Sequence, residues 1–143
     1  MSTSYNCGVI LGVTASDLGL KIEKTLTPYE IHDKKGNPTG KFEKEETCKL
    51  SYLGKERIES SLYFEYVEEL ITVNKPLELF NLDYEDIDPE SILIGIEVVN
   101  NGYNDWNVIK KIDLSENPVI KEEIKKQFGL DIEPELYFYF NVS

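Results

Sequence analysis

Read for the spacing of its apolar side chains, the chain begins with β-branched and apolar residues mixed with glycine at 7–15, the pattern of a buried strand. A loop through Ser16-Asp17-Leu18-Gly19 follows. Leu20-Lys21-Ile22-Glu23-Lys24 then alternates cleanly, as a half-buried strand does. Pro28 interrupts this pattern and Tyr29-Glu30-Ile31-His32 resumes it. Residues 33–40, Asp-Lys-Lys-Gly-Asn-Pro-Thr-Gly, are dense in turn formers. Alternation returns at Phe42 and at Cys48, Leu50 and Tyr52, so residues 29–53 predict a long hairpin with a mobile tip.

The middle of the chain is ambiguous. In residues 61–71, a helix would gather Tyr63, Tyr66, Val67 and Leu70 on one side and Glu65, Glu68 and Glu69 on another, whereas a strand would align Leu62, Phe64 and Tyr66. Aromatic and β-branched content favours the strand. The core of this segment is similar to Leu136-Tyr137-Phe138-Tyr139-Phe140, and two such aromatic runs suggest paired or neighbouring strands. Residues 81–91 form an acidic loop. Residues 92–99 are apolar except at Gly95 and Glu97 and make the expected central strand. Asn100-Asn101-Gly102 signals a turn, after which residues 108–114 return as a strand.

The clearest helix covers residues 117–128. Asn117 can cap it, Pro118 fits the first turn, Ile120, Ile124 and Phe128 recur every fourth residue, and Gly129 closes it, with Glu122 and Lys126 as a supporting pair. Residues 135–142 form the last strand. The expected core joins Ile92, Ile94, Ile96 and Val98 to Ile120, Ile124 and Phe128. Hairpin signals with one clear helix and no crossover helices predict an α+β fold: a single compact domain, residues 1–143, with a mostly antiparallel β-sheet and the C-terminal helix packed on it. A length of 143 residues suits one such domain.

Charge changes this picture because it is unevenly placed. Residues 1–58 carry 8 acids and 9 bases, residues 59–105 carry 12 acids and the single base Lys75, and residues 106–143 carry 7 acids and 5 bases. Most of the net charge of −12 therefore lies in the middle third. Such a block either coats one face of a fold or is read by a positively charged partner. It argues against direct nucleic-acid binding, which needs Lys and Arg against phosphates, and against anionic membranes. The apolar stretch 8–13 has no positive residue before it and is too short to span a bilayer. Cys7 and Cys48, in no metal-ligand or CxxC spacing, read as reduced packing residues of a cytoplasmic protein. One Ala, one Arg, one Gln and one His, against many Lys, Asn, Ile and Tyr, suggest an A/T-rich genome such as that of a low-GC bacterium or its phages.

Candidate chemistry is sparse. Asp86, Asp88, Glu90 and Glu97 fall at positions 1, 3, 5 and 12 of an EF-hand loop, but Ser91 replaces the required Gly, Pro89 stiffens the turn and Glu97 lies in a strand-like run. Residues 36–41, Gly-Asn-Pro-Thr-Gly-Lys, are one residue short of a phosphate-binding loop and have Phe42 where a hydroxyl is needed, so they read as a hairpin tip. His32, the only histidine, reads as solvated or locally hydrogen-bonded. No catalytic residue, metal ligand or cofactor is nominated.

The expected function is that of a non-enzymatic acidic protein docking onto a basic protein surface, for example a nuclease or nucleic-acid-binding protein. An immunity protein, a phage inhibitor of a defence enzyme or a DNA mimic would fit. Its expected contact residues are Glu65, Glu68, Glu69, Asp83, Tyr84, Glu85, Asp86, Asp88, Glu90 and Trp106, with the tyrosine and tryptophan as anchors among acids. The expected state is a monomer or small homo-oligomer. The alternatives are a small-ligand or divalent-cation-binding domain or small enzyme, with a pocket between sheet and helix, and a structural subunit of a phage or cellular assembly.

Overall fold

The computed structural model describes residues 5–83, 86–102, 115 and 117–142. It is an α+β fold whose strands all pair antiparallel. The chain divides into two compact units, one made of Met1–Gly19 with Thr72–Ser143 and the other of Leu20–Ile71.

The first unit is built on a four-stranded sheet. Its strands are β1 (Tyr5–Thr14), β5 (Glu78–Asn81), β6 (Ile92–Gly102) and β7 (Glu135–Val142), in the order β5-β6-β1-β7. Val9, Leu11 and Val13 alternate with Ile10 and Thr14 along β1, yet all five are buried, which is why this stretch reads as a continuous apolar run. Ile92, Leu93 and Ile94 of β6 are fully buried as well. Ile96 and Val98, expected in the same core, are only half-buried, because the deep part of the strand is its beginning.

Gly12 and Gly95 oppose each other across β1 and β6. A Cβ on Gly12 would collide with the carbonyl oxygen of Ile94, and one on Gly95 with that of Leu11, so the two strands approach closely only because both residues are glycine. Helix α2 (Asn117–Phe128), placed as the sequence predicts, packs against β1 and buries Ile120 and Ile124 completely. Its C-terminal turn is pinned by Gln127, whose Nε2 donates to the Asn74 carbonyl at 2.8 Å and whose Oε1 accepts the Asn74 N–H at 2.9 Å.

The second unit contains β2 (Lys21–His32), β3 (Pro38–Tyr52), β4 (Lys55–Glu59) and helix α1 (Phe64–Leu70), the strands lying in chain order. The long hairpin is therefore present, and its strands run straight through Pro28. At its tip, Asp33 Oδ1 accepts the N–H groups of Lys35 and Asn37, each at 2.9 Å, so residues 36–41 are a hairpin end. Only the base of this unit is buried, at Leu20, Cys48, Leu50, Tyr52, Val67 and Ile71. Farther out, Leu26 is 58% and Phe42 65% exposed.

Three further expectations change. Residues 64–70 are helical, because a strand would put Val67 on one face with Glu65 and Glu69, whereas the helix buries Val67 and leaves Glu65, Glu68 and Glu69 outside. The two aromatic runs are accordingly not paired; β7 pairs with β1. Asn100-Asn101-Gly102 does not turn, since pairing with Gly8, Cys7 and Asn6 carries β6 to its end, after a bulge that leaves Val98 without an opposite residue. Residues 108–114 lie outside the described residues. Strands β4 and β5 carry no clear signal in the sequence pattern. The first follows a two-residue turn in which Leu53 (φ 48°) and Gly54 (φ 79°) are both left-handed.

A candidate acidic docking surface

The charge asymmetry follows the division of the chain. The four-stranded unit owns 16 acids and 6 bases, a net of −10, and the ribbon unit 11 acids and 9 bases, a net of −2. The expected contact residues fall on both. Glu65, Glu68 and Glu69 ride on α1 in the ribbon unit, Asp83, Asp86, Asp88 and Glu90 belong to the four-stranded unit, and Tyr84, Glu85 and Trp106 lie outside the described residues.

On α1 the acids are partly answered. Arg57, the only arginine, donates from Nε to Glu59 at 2.8 Å and from Nη1 to Glu69. Its guanidinium lies 3.9 Å from the centre of the Tyr66 ring, which Tyr63 meets edge-on at 5.5 Å. The hydrogen bond to Glu59, then that to Glu69, pushes the Arg57 pKa up despite some desolvation. A sequence count by segment misses this, because the neutralising base comes from β4.

In the four-stranded unit the acids divide by task. Asp83 Oδ1 accepts the N–H of Asp86 at 3.2 Å and Asp88 Oδ1 that of Glu90 at 2.9 Å, so Asp83 and Asp88 shape the loop. Asp86, Asp88 and Glu90 are exposed, and Asp83 is half-buried. The loop is tied to the turn after β1: Ser16 N–H donates to the Pro89 carbonyl at 3.1 Å and Ala15 N–H to that of Ile92 at 2.8 Å. Within that turn the Thr14 hydroxyl accepts the Asp17 N–H at 3.0 Å, and Asp17 Oδ2 accepts the Thr14 N–H at 3.3 Å, which fixes Asp17 at the surface. The start of β7 completes the group, with Glu135 opposite Gly12.

Tyr137 lies two residues along β7 from Glu135, opposite Ile10. Its hydroxyl pKa is raised first by burial and then by Glu135, Asp17 and Glu90 in turn. The Ser16–Pro89 hydrogen bond and the β1–β7 register bring the three segments that carry these carboxylates to the end of the sheet where this half-buried phenol lies. Nearby acids of the same unit are handled differently: Lys121 lies 2.9 Å from Glu133 and 3.7 Å from Asp131. Of the converging three, only Glu90 was legible in the sequence. Asp17 and Glu135 carry no local signal and reach the site through sheet pairing.

Other chemistry finds little footing. Among the described residues, no group of three or more His, Cys, Asp and Glu is placed to hold a metal ion, and no helix is long and apolar enough to cross a membrane. Cys48 is a free thiol. Burial, then the hydrogen bond to Glu46, pushes the Cys48 thiol up and disfavours its nucleophilic thiolate form. His32 Nδ1 lies 3.1 Å from the carbonyl oxygen of Glu30 on the exposed ribbon. Comparison with protein-family models, curated proteins and solved structures finds no match.

Proposed function

We propose that this is a non-enzymatic docking protein whose acidic rim of Asp17, Asp86, Asp88, Glu90 and Glu135 binds a basic surface on another protein. The supporting observation is that strand pairing and the Ser16–Pro89 hydrogen bond bring the segments of Asp17, Glu90 and Glu135 together near Tyr137, in the unit that carries −10 of the net charge. Such a rim attracts Lys- and Arg-rich surfaces over a Debye length, about 8 Å at physiological salt, and accelerates encounter with them. Surfaces that bind nucleic acid have this character, so a nuclease or nucleic-acid-binding protein held by steric occlusion is the partner class.

The test separates the two acidic regions. One variant reverses Asp86, Glu90 and Glu135 to Lys, all exposed; the other reverses Glu65 and Glu68, exposed on α1. Basic proteins retained by wild type from native cell extract are purified and their association rates measured at graded salt. The rim reversal should slow association about tenfold or more and flatten its salt dependence, while the α1 reversal leaves it near wild type. Equal binding by wild type and the rim variant at low salt would refute the reading. Loss only in the α1 variant would move the site to the ribbon unit.

A further inference from the structure

The outer β2–β3 ribbon presents apolar side chains to solvent, although a two-stranded hairpin is marginal in water without something packed on a face. Its register tells the two faces apart, since directly opposed residues in an antiparallel pair share a face. One face carries four successive rows: Lys24 with Cys48, Leu26 with Glu46, Pro28 with Lys44, and Glu30 with Phe42. It continues the buried Leu50 surface outward. The contact of Cys48 Sγ with Glu46 Oε1, at 3.6 Å, and the bond from the Gly40 N–H to Glu30 Oε1, at 3.3 Å, agree with these placements.

The order of charges along this face is its own complement. Along β2 it reads positive, apolar, apolar, negative from Lys24 to Glu30. Along β3 it reads apolar, negative, positive, apolar from Cys48 to Phe42. Consider a two-fold axis running across the strands, between the second and third rows. It lays β2 antiparallel over a second β2, and β3 over a second β3. Lys24 then faces Glu30, Leu26 faces Pro28, Glu46 faces Lys44, and Phe42 meets the margin of the buried base at Cys48. A two-fold along the strands would set Leu26 on Glu46 and Pro28 on Lys44. On the opposite ribbon face the crosswise operation sets Lys49 over Glu43 but leaves Glu23 over Tyr29 and Glu45 over Thr47, with no base opposite either of these acids, so one acid there is matched and two are not.

We infer that the Leu26–Phe42 face of the ribbon is the contact surface of a homodimer, two copies stacking face to face in this antiparallel, isologous manner. Four rows span roughly 20 Å, which makes a small interface and a reversible, concentration-dependent dimer with a Kd on the order of micromolar. The ribbon unit suits self-association because its net charge is only −2, against −10 on the other unit.

Sedimentation velocity over micromolar to several-hundred-micromolar concentrations, at about 0.15 M salt where distant charges are screened, tests this with full-length protein. Wild type should dimerise. Glu46→Lys places lysine against Lys44 and Lys44→Glu places glutamate against Glu46, so each variant alone should dimerise at least about tenfold more weakly. An equimolar mixture of the two should recover the wild-type dimer, because the mixed pair restores opposite charges at both contacts. Both positions are exposed, and circular dichroism verifies that each variant is folded. Wild type that stays monomeric throughout, single variants that dimerise like wild type, or a mixture no better than its components would each overturn the proposal.

Discussion

The two units differ in how far their cores extend. In the four-stranded unit, Ile10, Leu11, Ile92, Leu93, Ile94, Ile120 and Ile124 are all essentially inaccessible, and the apolar side chains left exposed, Phe138 and Phe140 foremost, lie on the edge strand β7 and on and just after α2. In the ribbon unit, burial is confined to the base, and Leu26, Tyr29 and Phe42 project from strands that carry both signs of charge. A unit with a closed core can carry a net of −10. A ribbon without one stays near neutral and keeps apolar side chains available for contact.

The sharpest way to break this contrast is to truncate one side chain in each unit. Ile94→Ala should destabilise by about 2–5 kcal/mol, because it removes a fully buried side chain and leaves a cavity. Leu26→Ala, measured at dilution where the chain is monomeric, should change stability by less than about 0.5 kcal/mol. Chemical denaturation of both variants gives the comparison. Equal losses would mean that the outer ribbon is as well packed as the core.

Adding atoms should discriminate almost as strongly. Gly95→Ala forces β1 and β6 apart, at about 3 kcal/mol, the upper part of the usual cost of overpacking. Gly36→Ala at the hairpin tip meets open space and bears only the strain of a left-handed residue, about 1–2 kcal/mol. Denaturation midpoints rank the two, and reversed order would contradict the close strand approach.

The smallest effect is electrostatic. Burial raises the pKa of Tyr52 in the ribbon unit, and burial with Glu135, Asp17 and Glu90 raises that of Tyr137. The folded protein holds both phenolic protons more tightly than the unfolded chain. The resulting stability is complete below the ordinary tyrosine pKa of about 10 and is lost as pH climbs through the raised folded values. Glu90→Gln with Glu135→Gln should bring Tyr137 down toward its ordinary value and leave Tyr52 unchanged. Tyrosinate absorbance in an alkaline titration, assigned with Tyr137→Phe, reads this out. An unmoved Tyr137 would show that the carboxylates do not gather there.

What the sequence discloses is what local physics decides. Residues 117–128 announce their helix because cap, proline, period and closing glycine all lie within one segment. The hairpin tip is equally local, as Asp33 bonds only residues next to it. Residues 64–70 mislead because aromatic propensity pulls toward a strand while the burial of Val67 decides for a helix. At 100–102 a strong turn signal yields to pairing partners almost a hundred residues away. The acidic rim is the extreme case. Adjacency grouped Glu65 with Asp83, which the fold assigns to different units, and missed Asp17 and Glu135, which β1 and β7 bring to Glu90.

The place of β1 between β6 and β7 also sets a timetable for synthesis. A ribosome adding about 5–20 residues per second makes the strand beginning Tyr5-Asn6-Cys7 long before either neighbour, and Ile92 follows Thr14 by roughly 4–16 s. Meanwhile β2, β3 and β4 find their partners within one uninterrupted stretch of nascent chain. The ribbon can therefore close first, while one of the most apolar segments of the protein waits unpaired. Slowing elongation after Ile71 should lengthen that exposure and increase the dependence of the newborn chain on chaperones that shield apolar strands.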